Sequence, residues 1–306
     1  MSLSMLDTTS DADGRPVPYG DLGRPIRGPR ALSDDWRRFW HLAFNIAVMQ
    51  WKTRFFGSAL GYIWQLVRPL LLFGVLYLFF TVVARVGRGD GPSSQFYGTQ
   101  LLGSIVLFTF FQEATMGSVR SVVDNEPLVR KIQFPRLVIP LSVVLLSLFN
   151  LSLNLIVVLI FGLIQGVRPM VSWVELPLLL LMLTLLTSGV AMLLSALFPN
   201  FRDLQPIWEV VLQVLFYASP VIVPLAVVAQ KLGPAHQWLL HIYMANPVTA
   251  VLQQFRHAMV THAATSAENA IGGMAWLMVP VAITFGVFVL GFWVFNRTAP
   301  RVAEDL

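Results

Sequence analysis

Side chains able to do nucleophilic, metal or acid–base chemistry are few in this sequence. It contains no cysteine, which excludes disulfides, thiolate zinc ligands and thiol nucleophiles. No two histidines form an HExxH pair, and the pairs His236/His241 and His257/His262 are spaced i, i+5, which is poor for one face of an α-helix. The spacing favours interfacial histidines over metal ligands. We therefore predict neither a metal site nor a catalytic residue in this chain.

A phosphate-binding loop is also missing from the sequence. Such a loop needs Gly-Lys followed by Ser or Thr, so that backbone amides and one lysine hold the phosphates. The chain has three lysines, and they follow Trp51, Arg130 and Gln230. Because no lysine follows a glycine, the chain cannot be a P-loop ATPase by itself.

Two acidic side chains, Glu113 and Glu209, lie within long apolar runs. An acid inside a membrane span is a functional candidate, although a static hydrogen bond to a neighbouring helix is the alternative. Arg202 and Asp203 stand just ahead of the run that holds Glu209. We take these four residues as candidates for gating.

The composition predicts a membrane protein. Hydrophobic residues make up 56% of the chain, charged residues 12%, and the mean hydropathy is +0.68. Soluble domains have about 25% charged residues, so most of this surface must face lipid. The net charge of +5 could suggest nucleic acid, but the basic residues flank apolar runs as membrane orientation requires. We therefore expect membrane lipids, and no nucleic acid, as partners.

Six apolar runs approach the length of about 20 residues that a spanning helix needs. The predicted spans are Leu66–Ala84, Gly98–Val119, Ile139–Ile164, Val174–Leu197, Ile207–Val223 and Ala275–Phe295. With this arrangement, sixteen basic residues fall on one side of the membrane and five on the other. The positive-inside rule then places both termini in the cytoplasm.

The parts outside the spans differ in composition. Residues 1–33 are polar and predict a disordered cytoplasmic tail, and residues 298–306 a short cytoplasmic tail. Between them we expect an interface helix at 34–65 and a six-helix transmembrane domain at 66–297. The interface helix mixes aromatic and basic side chains, a pattern typical of an amphipathic helix lying in the membrane surface. Its candidate anchors are Trp36, Arg38, Trp40, Trp51, Lys52 and Arg54.

The loop Pro224–Gly273 is long and contains two semi-apolar pieces, Gln237–Met244 and Val248–Val260, which Asn246-Pro247 separates. Each piece is too short to span a bilayer. We expect re-entrant or interfacial helices on the outer side.

A basic, proline-bounded segment, Asn125–Arg136, separates two of the apolar runs and falls on the predicted cytoplasmic side. It is placed to meet a soluble partner. Aromatic residues form stripes on two of the predicted spans, where they could line a path for sugar rings or simply pack. The candidate lining residues are Phe73, Tyr77, Phe80, Phe216 and Tyr217.

Four patches in this order resemble the membrane subunit of ABC-2 type exporters, and more narrowly the permeases for O-antigen, capsule, teichoic acid and related lipid-linked glycans. Phe55 stands where that family usually has tyrosine. The patches are Trp51–Trp64 with Arg68-Pro69, Asn125–Pro135, Phe201–Leu204 with Ser219-Pro220-Val221, and Asn246–Thr249 with Arg256.

The resemblance implies an all-α membrane protein that works as a homodimer with two copies of a cytoplasmic P-loop ATPase in the bacterial inner membrane. It implies that ATP and Mg²⁺ are bound by the partner subunit, with no cofactor in this chain. The substrate would be a lipid-linked glycan. The expected ATPase-coupling residues are Asn125, Glu126, Pro127, Leu128, Val129, Arg130 and Lys131.

Two other functions stay open at this point. An ABC-2 exporter of a lipid or drug would share the spans, but it usually lacks the aromatic interface helix and the Lys131–Pro135 pattern. A membrane glycosyltransferase would need an acid pair or a metal-binding loop, and the only Asp-x-Asp is Asp11-Ala12-Asp13 in the polar tail.

Overall fold

The computed structural model of this chain describes residues 36–55, 61–83, 96–125, 135–232, 237–262 and 264–305. All regular elements in these ranges are helical. The helices are α1 (Trp36–Phe55), α2 (Gly61–Leu78), α3 (Tyr97–Val119), α4 (Ser121–Asp124), α5 (Val138–Ile164), α6 (Leu176–Leu197), α7 (Leu204–Ala218), α8 (Leu225–Leu232), α9 (Gln237–Ala245), α10 (Pro247–Phe255), α11 (Ala267–Ile271) and α12 (Met274–Asp305). A 3₁₀ turn precedes α6, and π-helical turns extend α2 and α10. These turns are Val171–Glu175, Phe79–Val83 and Arg256–Val260.

Five helical segments among the described residues are long and apolar enough to cross a membrane. They correspond to five of the six predicted spans and confirm a multi-pass, all-α membrane protein. The segments are Ile63–Val83, Tyr97–Val119, Val138–Ile164, Val171–Leu197 and Met274–Thr298.

The remaining predicted span, Ile207–Val223, is the fifth along the chain, and it differs from the structure. Helix α7 has 15 residues and ends at Ala218, short of the length expected for a span. The next residue, Ser219, is extended, with φ −109° and ψ 157°. Pro220 explains this ending, because its ring disfavours the helical conformation at the residue before it.

Helix α3 forms the centre of the bundle. Eighteen of its 23 residues are buried, whereas in the segment Ile63–Val83 only Pro69 and Phe73 are buried. It packs against α2, α5, α6 and α7. Gly103 allows the closest approach, since a Cβ atom there would lie 2.2 Å from Cε1 of Phe255 in α10. Both spanning helices and short helices thus pack against the central helix.

Helices α6 and α12 make the most extensive helix pair. Two glycines bring their backbones together. A Cβ atom on Gly291 would lie 2.2 Å from the carbonyl oxygen of Gly189, and one on Gly189 would lie 2.7 Å from Cα of Phe288. Small residues at a crossing are how membrane helices approach closely. Helix α12 continues to Asp305, through most of the segment predicted as a C-terminal tail.

The predicted interface helix is α1, which ends at Phe55, while α2 begins at Gly61. Phe39, Ala43 and Ala47 are buried, and α1 packs on α5. The other face of α1 is exposed and carries basic and large apolar side chains together. These exposed residues include Arg37, Arg38, Trp40, Phe44, Met49 and Lys52. Trp51 is half-buried, and Trp36 and Arg54 lie in the first and last turns.

Helices α9 and α10 match the two pieces predicted in the long loop. Asn246 separates them, because its side-chain oxygen accepts a hydrogen bond from the Val248 amide at 3.0 Å and caps α10. Pro247 occupies the first position of α10, where no amide hydrogen is needed. The short helices α8 and α11 were not predicted. We call the end of the bundle formed by the described residues of 219–273 the hairpin end.

Candidate functional site

Helices α2 and α7 both pack on α3 and turn apolar stripes outward. On α7 the exposed stripe runs through Ile207, Val210, Val214 and Tyr217, at helical spacing. Leu212 is the fully buried side chain of that helix. On α2 and the π-helical turn that extends it, the corresponding exposed residues include Leu72, Val75, Leu78 and Val82. Both stripes are mainly aliphatic rather than aromatic.

Of the aromatics predicted to line a conduit from α2, Phe73 packs inside the chain. Phe73 is buried, stacked on Tyr77 with ring centroids 5.4 Å apart and edge-on to Phe161 of α5 at 5.3 Å. Tyr77 in turn stacks on Tyr97 of α3 at 6.4 Å. Phe80 lies half-buried in the π-helical turn. Within one chain Phe73 is therefore a packing residue, whereas the side chains of Tyr77 and Phe80 remain partly exposed.

The α7 aromatics divide in the same way. Phe216 is half-buried and lies edge-on to Phe108 of α3, with ring centroids 5.1 Å apart. Its neighbour Tyr217 is 70% exposed. Of the five aromatics predicted to line a conduit, Tyr217 presents the most open ring.

A cluster of hydrogen bonds holds the turn that follows α7. The Arg256 guanidinium donates through Nη2 to the carbonyl oxygens of Pro220 and Val221, the latter at 3.0 Å. The Tyr97 hydroxyl donates to the next carbonyl, that of Ile222, at 3.0 Å. We call this arrangement the carbonyl clamp. It satisfies three successive backbone acceptors that have no helical partner.

Ser104 of α3 completes the clamp. Its hydroxyl donates to the Gln100 carbonyl at 2.8 Å, so its lone pairs are left for Nε of Arg256 at 3.2 Å. Arg256 is fully buried, and this desolvation lowers its pKa to about 10, against the opposing influence of Tyr243 and Tyr97. The side chain is therefore still charged at neutral pH. A buried cation that binds carbonyl dipoles ties α10, α3 and the end of α7 together.

Comparison with known proteins agrees with this architecture. Residues 43–260 match the family model described as ABC-2 type transporter. The chain belongs to the ABC-2 type transporter family. The matched region covers every residue of the carbonyl clamp and ends at the last residue of the π-helical turn after α10.

Individual relatives of this ABC-2 family member are permeases. It is 29% identical over 227 residues to the O-antigen export system permease protein RfbA of Myxococcus xanthus, covering 74% of this chain and 83% of that protein. Two Klebsiella pneumoniae proteins of the same name are 25% and 26% identical over 256 and 258 residues. Each alignment covers 83% of this chain and 91% of the relative.

Most of the predicted coupling segment of this ABC-2 protein, Glu126–Lys131, lies outside the described residues. Asn125 is described, and its side-chain amide donates to the Ser121 carbonyl at 2.8 Å, which closes the short helix α4. Beyond the segment, Arg136 is 5% exposed, and burial lowers its pKa. Helix α4, before the segment, packs on α5 and α6, and Arg136, after it, is buried.

The structure separates the gating candidates. Oε2 of Glu113 in α3 accepts a hydrogen bond from Gln65 of α2 at 3.1 Å. Arg202, Asp203 and Glu209 are all exposed, at or near the start of α7. Helix α7 is held to α3 at this end by a hydrogen bond from Nε1 of Trp208 to Thr115, at 3.1 Å. Glu113 therefore links α2 to α3, and the other three residues face outward.

The sequence did not predict that Tyr97, Ser104 and Arg256 form one hydrogen-bonded cluster. The signal for Arg256 was present, because it is the single charged residue in the run Val248–Val260. A charged residue that is buried in an apolar run requires a polar partner. Its partners are backbone carbonyls rather than acids, which a search for paired charges does not find.

Proposed function

We propose that this chain is the permease subunit of an ATP-driven exporter that moves a lipid-linked polysaccharide from the cytoplasmic side across the bacterial inner membrane. The observation that carries the proposal is the similarity, over most of its length, to three permeases named for O-antigen export. Two copies of the chain would enclose the path, and two P-loop ATPase subunits would supply ATP and Mg²⁺. Both termini would be cytoplasmic.

The outward stripes of α2 and α7 support the homodimer. A hydrated polymer is too wide to pass within one chain, whose central helix α3 is closely packed. A second copy that brings its own α2 and α7 to face the first would enclose a space between them. Tyr77, Phe80, Phe216 and Tyr217 lie on these two helices and would offer flat, weakly binding surfaces to sugar rings.

The ATPase partner would dock on Asn125–Lys131. Glu126 and Arg130 are spaced i, i+4, so on a short helix they would share one polar face. Arg120 and Asp124, 3.6 Å apart on the surface just before the segment, would lie beside the docked subunit.

Deletion of the gene in its own bacterium tests the proposal. We expect the surface polysaccharide to disappear and its lipid-linked precursor to accumulate inside the cell. The wild-type gene should restore export, and the double variant Glu126→Ala/Arg130→Ala should insert normally but fail to restore it. A deletion strain that keeps its surface glycan and instead accumulates another lipid or a drug would favour the lipid or drug exporter.

A further inference from the structure

Two histidine rings meet at the hairpin end. Nε2 of His257 lies 3.4 Å from Nδ1 of His262, and the ring centroids are 4.9 Å apart. The spacing i, i+5 is poor for an α-helix, but His257 lies in the π-helical turn Arg256–Val260. The Thr261 amide donates to the Arg256 carbonyl at 3.1 Å, which is the i, i+5 bond of a π-helix. Thr261 is extended, with φ −161° and ψ 132°, so the two rings meet where the chain leaves the π-helical turn, contrary to the expectation from the sequence.

Hydrogen bonds determine which nitrogen of His257 carries the proton and favour one of the two nitrogens of His262. Nδ1 of His257 lies 2.7 Å from the Ala264 carbonyl oxygen, which can only accept, so Nδ1 is the protonated nitrogen. The Ser172 hydroxyl donates its one hydrogen to the Ala258 carbonyl at 2.7 Å. It therefore presents lone pairs to Nε2 of His262 at 3.4 Å, which favours a proton on that nitrogen.

This assignment leaves two nitrogen lone pairs facing each other, on Nε2 of His257 and Nδ1 of His262. A proton or a metal cation between the two nitrogens, which are 3.4 Å apart, would relieve the repulsion of their lone pairs. The separation suits a metal ion, because two imidazoles bound at 2.0–2.1 Å in a tetrahedral arrangement have their nitrogens about 3.3 Å apart. Each outer nitrogen is already directed at an oxygen, as is usual for histidines that bind metals.

We propose that His257 and His262 bind a divalent transition-metal ion, with Zn²⁺ as the best match and water completing its coordination. Neutral imidazole suits zinc, copper and nickel, whereas Mg²⁺ and Ca²⁺ prefer oxygen ligands. His262 is exposed and His257 half-buried, so the ion can enter from solvent. The ion would join the end of the α10 π-helical turn to the chain beyond it, next to the 3₁₀ turn that carries Ser172.

Zinc titration of the full-length chain tests this site. The protein is purified in nanodiscs through a tag without histidine, and Zn²⁺ is titrated in competition with a chromogenic chelator. We expect one Zn²⁺ per chain and a zinc-dependent rise in the melting temperature, because only the folded chain brings the two rings together. The variants His257→Gln and His262→Gln should each lose both effects.

His241 provides the matched control. Its Nδ1 also lies against a carbonyl oxygen, that of Ile271 at 2.6 Å, but its ring packs beside Trp276 rather than another histidine. His241→Gln should bind Zn²⁺ like the wild type. If His257→Gln alone fails to fold, the exposed His262→Gln decides the result. No stoichiometric binding by the wild type, binding that survives both substitutions, or equal competition by Mg²⁺ would each overturn the proposal.

Discussion

The pair α6–α12 and the helix α7 are attached to the bundle in different ways. Helices α6 and α12 meet along a seam where Gly189 and Gly291 bring backbone against backbone. Helix α7 has one fully buried side chain, Leu212, and is held at its ends by Trp208 and by the carbonyl clamp. The seam depends on close packing of backbones, whereas α7 is held by ring contacts of Phe216 and Trp208 with α3 and by polar contacts at its ends. This difference predicts where substitutions have large effects.

The largest loss should follow substitution of Arg256. Arg256→Ala leaves the Pro220 and Val221 carbonyls and Ser104 without their donor, and each buried unsatisfied group costs about 1–3 kcal/mol. We expect a destabilisation of about 3–5 kcal/mol. Thermal unfolding of the purified variant measures it. Tyr97→Phe removes only the bond to Ile222 and should cost about 1 kcal/mol. Equal losses in the two variants would show that Arg256 does not dominate the clamp.

The seam should respond to a single added methyl group. Gly291→Ala places a Cβ atom against the Gly189 carbonyl, so the two helices must separate. Overpacking of this kind costs about 1–3 kcal/mol, which a fall in melting temperature would report. Gly286→Ala on the same helix is the control, because no atom lies within 4 Å of its Cβ position. Equal stability of the two variants would mean that α6 and α12 pack less closely at Gly189 and Gly291 than they do in the structure.

The outward stripe of α7 should be covered by a second copy of the chain, and the lipid-facing part of α12 should not. Val214 on α7 and Val289 on α12 are both 61% exposed, which makes them a matched pair. In this cysteine-free chain we expect Val214→Cys to form dimers with a flexible bismaleimide and Val289→Cys to stay monomeric. Neither substitution should change the melting temperature appreciably. The reverse cross-linking pattern would place the homodimer contact on α12.

The smallest effect should come from the surface ion pair Arg120–Asp124. Its side chains are 54% and 59% exposed and 3.6 Å apart. Exposed pairs of this type contribute at most about 1 kcal/mol, and at helical spacing about 0.3–0.5 kcal/mol. Asp124→Asn should therefore leave the melting temperature unchanged within error. A clear fall would show that this pair contributes more than an exposed ion pair at helical spacing is expected to.

The sequence was informative wherever one local rule determined the structure. Apolar runs predicted five long helices, and Asn246-Pro247 correctly marked the break between α9 and α10 through a cap and a proline. The same kind of rule, applied to Ser219-Pro220, would have shortened the span that was drawn through to Val223. Hydropathy alone could not find that ending, because the residues after it are also apolar.

Features that depend on contacts distant in sequence could not be predicted. Whether Phe73 faces outward or inward depends on Phe161, 88 positions away, and Arg256 binds carbonyls about 35 positions away. The expectation that His257 and His262 lie apart was wrong for a different reason. It assumed one continuous α-helix, whereas His257 lies in a π-helical turn and Thr261, just before His262, is extended.

The length of α7 has a consequence for the bilayer itself. At 1.5 Å per residue its 15 residues extend about 22 Å, and the hydrocarbon layer of a typical membrane is about 30 Å thick. If α7 crosses the bilayer, this mismatch would favour local thinning of the lipid and deeper entry of water beside the Ser219–Val223 turn. A hydrated polymer that passes along α7 would then cross a thinner hydrocarbon layer than one that passes along α5 or α12.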